Sequence, residues 1–159
     1  LTNAPNLEWH IENLRNYPFL TPTKHQPKVT GKVLIRPMGV EGGTAGLPGG
    51  YTSTERFVRA SYLRNNLEDA QDETTNITNC FKVLDAVSIP RGAVIDAQET
   101  HYTQYQLVLD SKTKTYYIKP YYNNTLFQIT LTEALLSAAD LTYFPLENTF
   151  STVSLNDND

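Results

Sequence analysis

Apolar positions near the start of the chain recur at helical spacing: Leu7, Ile11 and Leu14 stand at i, i+4 and i+7. Asn6 is a suitable N-cap, and Pro18 and Pro22 close the segment, so a helix is predicted over residues 6–17. A second helix is predicted from Thr52 to about Leu67. Thr52 with Glu55 three residues later has the form of a capping box, in which hydroxyl and carboxylate satisfy backbone donors that a helix start leaves unpaired. A third is the clearest: Ile77, Cys80, Phe81, Leu84 and Val87 make one apolar stripe, and Pro90-Arg91-Gly92 stops it. After Gly92 helical spacing gives way to partial alternation. His101 to Asp110, Thr115 to Tyr121 and Leu126 to Thr132 are short runs containing Tyr, Val and Ile, with Ser111 to Lys114 and Asn123-Asn124 between them as turns. That pattern predicts an antiparallel meander. Helices followed by a block of strands imply an α+β fold, with helices on one face of an antiparallel sheet. The last residues, Asn156 to Asp159, have nothing to bury and are expected to fray.

The stretch between the first two helices is different. Residues 20–50 hold four Pro and seven Gly with little periodicity, so they read as a long loop with one short strand at Lys32 to Ile35. A loop of that length commonly serves or covers a site. Six of the Gly lie between Gly39 and Gly50, ahead of a helix, which invites a phosphate-loop reading. Neither G-x-x-x-x-G-K-[ST] nor G-x-G-x-x-G is present, and a loop needing positive φ angles accounts for the glycines better.

Composition narrows the chemistry. At 159 residues and 40% apolar content the chain is the size of one domain with a continuous core. No run approaches the eighteen or so apolar residues of a membrane span. A net charge of −4 with no basic stripe argues against nucleic acid as a partner. The single Cys excludes an internal disulfide framework and a multi-Cys zinc site. His10, His25 and His101 lack metal-ligand spacing, so neither metal nor cofactor is expected. His10 lies off the Leu7–Ile11–Leu14 face and is expected in solvent. Cys80, inside the third stripe, is expected to act as a small core hydrophobe rather than a nucleophile. The cluster Tyr116, Tyr117, Tyr121 and Tyr122 is expected to serve core and interface. The first residues do not combine a basic start with an apolar run, so no secretory signal is read here, and in a fragment that says nothing of where the parent goes; a cytoplasmic location is the separate expectation.

Two segments carry a resemblance. Leu1-Thr2-Asn3-Ala4-Pro5-Asn6-Leu7-Glu8-Trp9-His10, continuing to Asn13-Leu14-Arg15-Asn16-Tyr17, is followed about fifty residues on by Gly46-Leu47-Pro48-Gly49-Gly50-Tyr51-Thr52-Ser53-Thr54-Glu55-Arg56-Phe57-Val58-Arg59-Ala60. Together they resemble the second half of the choloylglycine hydrolase family, which includes bile salt hydrolases and penicillin V acylases. The likeness runs nearly the whole chain, most specifically around Asn3 and Arg56.

The resemblance implies a four-layer αββα sandwich of the N-terminal-nucleophile class, with residues 1–159 as the C-terminal portion of one such domain. The nucleophile-bearing N-terminal half would be its partner. Such enzymes use a freed N-terminal Cys to attack an amide carbonyl, its own α-amino group acting as base. The chain alone, beginning at Leu1, is therefore expected to be inactive. Implied substrates are conjugated bile salts, penicillin V or other acyl amides, and the implied assembly is a homotetramer. Asn3 matches the family's side-chain donor to the developing oxyanion. Arg56 matches the cation beside the nucleophile, where it would lower the thiol pKa. Without the family, Asn3 would be a turn residue before Pro5, and Arg56 a solvated cation set against the helix dipole. One departure is Gly50, where family members often carry Asp; it alters the loop entering the second helix. The alternative function is a non-catalytic module serving oligomer contacts or ligand binding.

Overall fold

The structure is a computed structural model, and residues 4–147 and 149–156 are described. The chain divides into two compact units, one made of the described residues up to Asp69 with Asp85–Val87, the other of Ala70–Leu84 and the residues from Ser88 onward.

In the first unit, helix α1 (Leu7–Asn13) continues as a 3-10 turn over Leu14–Asn16. Asn6 caps it, its side-chain oxygen accepting from the Trp9 N–H at 3.0 Å. The burial of α1 is opposite to the expectation. Leu7 and Ile11 are 58% and 55% exposed, whereas His10 is completely buried. Its ring stacks on Phe57, with centroids 4.6 Å apart, and meets the edge of Trp9. Periodicity groups residues by face; it does not say which face a neighbour covers, and here helix α2 (Ser53–Asn66) covers the His10 side.

The expected lone strand is a hairpin, β1 (Lys28–Thr30) and β2 (Val33–Ile35), paired antiparallel with Gly31 at φ 60° in the turn. All six strand residues are exposed, so neither face of the hairpin is covered. Farther on, Gly43 is buried in a 3-10 turn (Gly42–Thr44), where its carbonyl accepts from the Thr21 N–H at 3.0 Å. A Cβ at Gly43 would collide with the Thr21 and Thr23 carbonyls, so only glycine lets these backbones approach.

In the second unit, most of helix α3 (Glu73–Ala86) lies along a three-stranded sheet. Asp72 starts the helix by accepting from the Thr75 N–H and hydroxyl at 2.8 and 2.9 Å. A short hairpin, β3 (Ile95–Asp96) with β4 (Glu99–Thr100), precedes the meander of β5 (Tyr105–Asp110), β6 (Thr115–Pro120) and β7 (Phe127–Thr130). A one-turn helix, α4 (Glu133–Leu136), capped by Thr132, follows.

The register sorts the meander into two unlike faces. Leu107, Ile118 and Phe127 align across the strands, and so do Leu109, Tyr116 and Ile129. This face is apolar, yet Leu107 and Leu109 are 45% and 50% exposed. The opposite face is the one that meets α3. Gln106 donates to Ser88 at 2.7 Å, the Tyr117 hydroxyl donates to Glu73 at 3.0 Å, and the Lys119 ammonium lies over the Phe81 ring. The helix therefore covers the mixed face of the sheet, as in layered α+β folds, while Leu107 and Leu109 on the apolar face stay open.

Tyr116 and Tyr117 sit within β6, half-buried. Tyr121 and Tyr122 lie past its end and remain exposed, their hydroxyls accepting from the Arg91 backbone N–H and guanidinium at 3.0 Å each. The second pair is exposed, so the core half of the expectation does not hold for it.

Candidate active site

The candidate site is built at the start of α2. Thr52 has extended backbone geometry and accepts from the Glu55 N–H at 3.3 Å, while its hydroxyl donates to the Glu55 carboxylate at 2.7 Å. The expected capping box is therefore in place. The Thr52 hydroxyl, aided by the backbone amides of Thr52 and Gly50, holds the Glu55 carboxyl below the usual carboxylate range. A Cβ at Gly50 would collide with that carboxylate. The departure at Gly50 thus has a structural consequence: the space beside residue 50 belongs to Glu55.

Arg56 follows on the first turn of α2 and is half-buried. Its Nε–H donates to the Tyr51 carbonyl at 3.1 Å, which fixes the plane of the guanidinium. Among the described residues no carboxylate pairs with it, and its terminal nitrogens have no acceptor. It is a held cation with uncommitted donors, not a freely rotating surface group.

Arg59, one turn farther along, is the buried cation that sequence reasoning did not single out. It is only 8% exposed. Its Nε–H donates to the Ala86 carbonyl at 2.6 Å, and Nη1 donates to Pro48 and Gly50 carbonyls at 2.6 and 3.1 Å. One local signal existed: Arg59 stands between Val58 and Ala60, and all three are buried. Its acceptor at Ala86 is 27 residues away and has no signature in the sequence.

Asn3, the other predicted site residue, lies outside the described residues, so its distance to Arg56 is not part of the geometry. Cys80 is a free thiol on α3, half-buried within the predicted stripe. Among the described residues no three His, Cys, Asp or Glu side chains gather as metal ligands, and no helix is long and apolar enough to cross a membrane.

The chain belongs to the choloylglycine hydrolase family of linear amide C–N hydrolases, whose sequence model matches residues 1–144. The conjugated bile acid hydrolase of Lactobacillus acidophilus is 37% identical over 118 residues, covering 74% of this chain and 37% of the relative. A mutant of the conjugated bile acid hydrolase of Clostridium perfringens superimposes with a TM-score of 0.80 at 28% identity, over 98% of this chain and 48% of that one. Penicillin V acylase from Agrobacterium tumefaciens gives a TM-score of 0.58 at 24% identity over 84% of this chain and 36% of its own, a likeness of fold alone. The fold is that of the N-terminal-nucleophile hydrolases. The chain spans half or less of the length of the relatives it matches.

Proposed function

We propose that this chain is the C-terminal portion of a cysteine N-terminal-nucleophile amidase that cleaves linear amide C–N bonds, conjugated bile salts being its first substrate class. The observation that carries the reading is Arg56: a half-buried guanidinium, fixed through Nε to the Tyr51 carbonyl, with its remaining donors unpaired among the described residues. A permanent cation held in one orientation suits a place beside a thiolate, because it favours the ionised nucleophile and stays put while charge moves. The kinship to hydrolases of conjugated bile acids supports the substrate class.

In the proposed reaction a thiol supplied by the nucleophile-bearing half adds to the amide carbonyl. The thiol proton passes to the nucleophile's own α-amino group, the Asn3 side-chain amide donates to the oxygen as it becomes an oxyanion, and collapse expels the amine, which takes up that proton. Water then releases the acid from the thioester. A neutral donor such as Asn3 contributes most at the tetrahedral stage. In the complete enzyme with glycocholate, Asn3→Ala is expected to lower kcat by about 10²–10³ with a much smaller change in KM. A near-normal kcat in that variant would remove Asn3 from the mechanism.

A further inference from the structure

A buried guanidinium with no salt bridge among the described residues, and only the longer-range attraction of the Glu55 carboxylate, needs a reason, since apolar residues of similar volume often serve stability as well or better. Among the described residues Arg59 has carbonyl acceptors only: Pro48 and Gly50 on the loop entering α2, and Ala86 at the end of α3. On its amide side the loop is held by the Glu55 carboxylate, which the Gly50 and Thr52 backbone N–H groups meet; on its carbonyl side the holding group is Arg59. A Cβ at Gly49 would find nothing within 4 Å, and Gly50 carries no side chain. The carbonyl next after those bound by Arg59 is that of Tyr51, the acceptor of Arg56 Nε–H.

We propose that Arg59 is the positioning residue for Arg56: by fixing the Pro48 and Gly50 carbonyls it fixes the Tyr51 carbonyl, and through it the guanidinium plane of Arg56. The planar fork is essential to this, since one side chain must meet acceptors in two directions. Lysine offers a single ammonium and cannot span Ala86 and the loop together. The inference rests on the proposed role of Arg56, and its test separates the two.

The experiment is a double-mutant comparison in the complete enzyme, with kcat and KM for glycocholate measured beside thermal melting. Arg56→Ala tests the underlying reading. Arg59→Lys tests the positioning, and is expected to lower kcat by about ten- to a hundredfold while KM changes far less. In the Arg56→Ala background the same Arg59→Lys change is expected to alter kcat by no more than about twofold, because the group it positions is gone. Its effect on Tm should be the same in both backgrounds. A kcat loss that persists undiminished without Arg56, or an Arg59→Lys enzyme with parental kcat, overturns the positioning role. Parental kcat in Arg56→Ala instead overturns the reading of Arg56, and the positioning role falls with it. If Arg59→Lys does not fold, Arg59→Gln, uncharged and still a donor, makes the same comparison.

Discussion

Arg56 and Arg59 lie one turn apart on the same helix, yet Arg59 is tied through two of its nitrogens and Arg56 through one. Arg59 spends its donors on backbone carbonyls, while Arg56 is tied at Nε alone. Fixed on one side and open on the other, Arg56 has the arrangement expected of a group that acts on something outside its own fold. Arg56→Lys keeps the charge but loses both the Tyr51 bond and the planar fork. It is expected to lower kcat by about tenfold or more, measured on glycocholate with the complete enzyme. An unchanged rate would return Arg56 to the role of a helix-surface cation. The same scale shows where sequence reasoning stops. The motif singles out Arg56, whereas the burial of Arg59 depends on a carbonyl contributed from the end of another helix. His10 misled for a related reason: its burial against Phe57 and Trp9 is decided by the packing of α1 on α2. Its ring nitrogens have no hydrogen-bond partner among the described residues, which no polar pattern would anticipate.

Elements whose determinants are local were read from the sequence with little error. The capping box at Thr52 and Glu55, the Asn6 cap, the stripe of α3 and the three strands of the meander all appear where spacing placed them. The hairpin of β1 and β2 was only half seen, because its strands are three residues each and exposed on both faces, so alternation had no core to report. The start of α2 makes a prediction of its own. Thr52→Ala removes the N-cap and is expected to cost about 1 kcal/mol at neutral pH, read as a lowered Tm of the complete enzyme. The Glu55 carboxyl is held below its usual range chiefly by the Thr52 hydroxyl. A lowered carboxyl stabilises the fold above the unfolded value and loses that contribution as pH falls through the folded one. The gap between parent and Thr52→Ala should therefore narrow in acid. A gap that widened in acid would contradict the capping geometry.

At the scale of the whole molecule the unusual feature is how little apolar surface is covered. Among the described residues only Val58, Ala60, Phe81 and Val87 are buried apolar side chains. The apolar face of the meander is open, and so are Leu7 and Ile11 on α1 and both faces of the β1–β2 hairpin. Apolar patches of this kind mark a missing partner. The partner proposed here is the nucleophile-bearing half of the same sandwich, so the 159-residue chain alone should self-associate, as light scattering would show. The central claim is that this chain contributes Asn3 and Arg56 to an amidase whose nucleophile lies elsewhere. The most direct test is glycocholate hydrolysis, measured as glycine released, by the chain alone and by the chain joined to its nucleophile-bearing half. The account predicts hydrolysis by the joined protein and none by the chain alone. It is contradicted if the joined protein is inactive, or if the chain alone cleaves the amide and Cys80→Ser abolishes that activity.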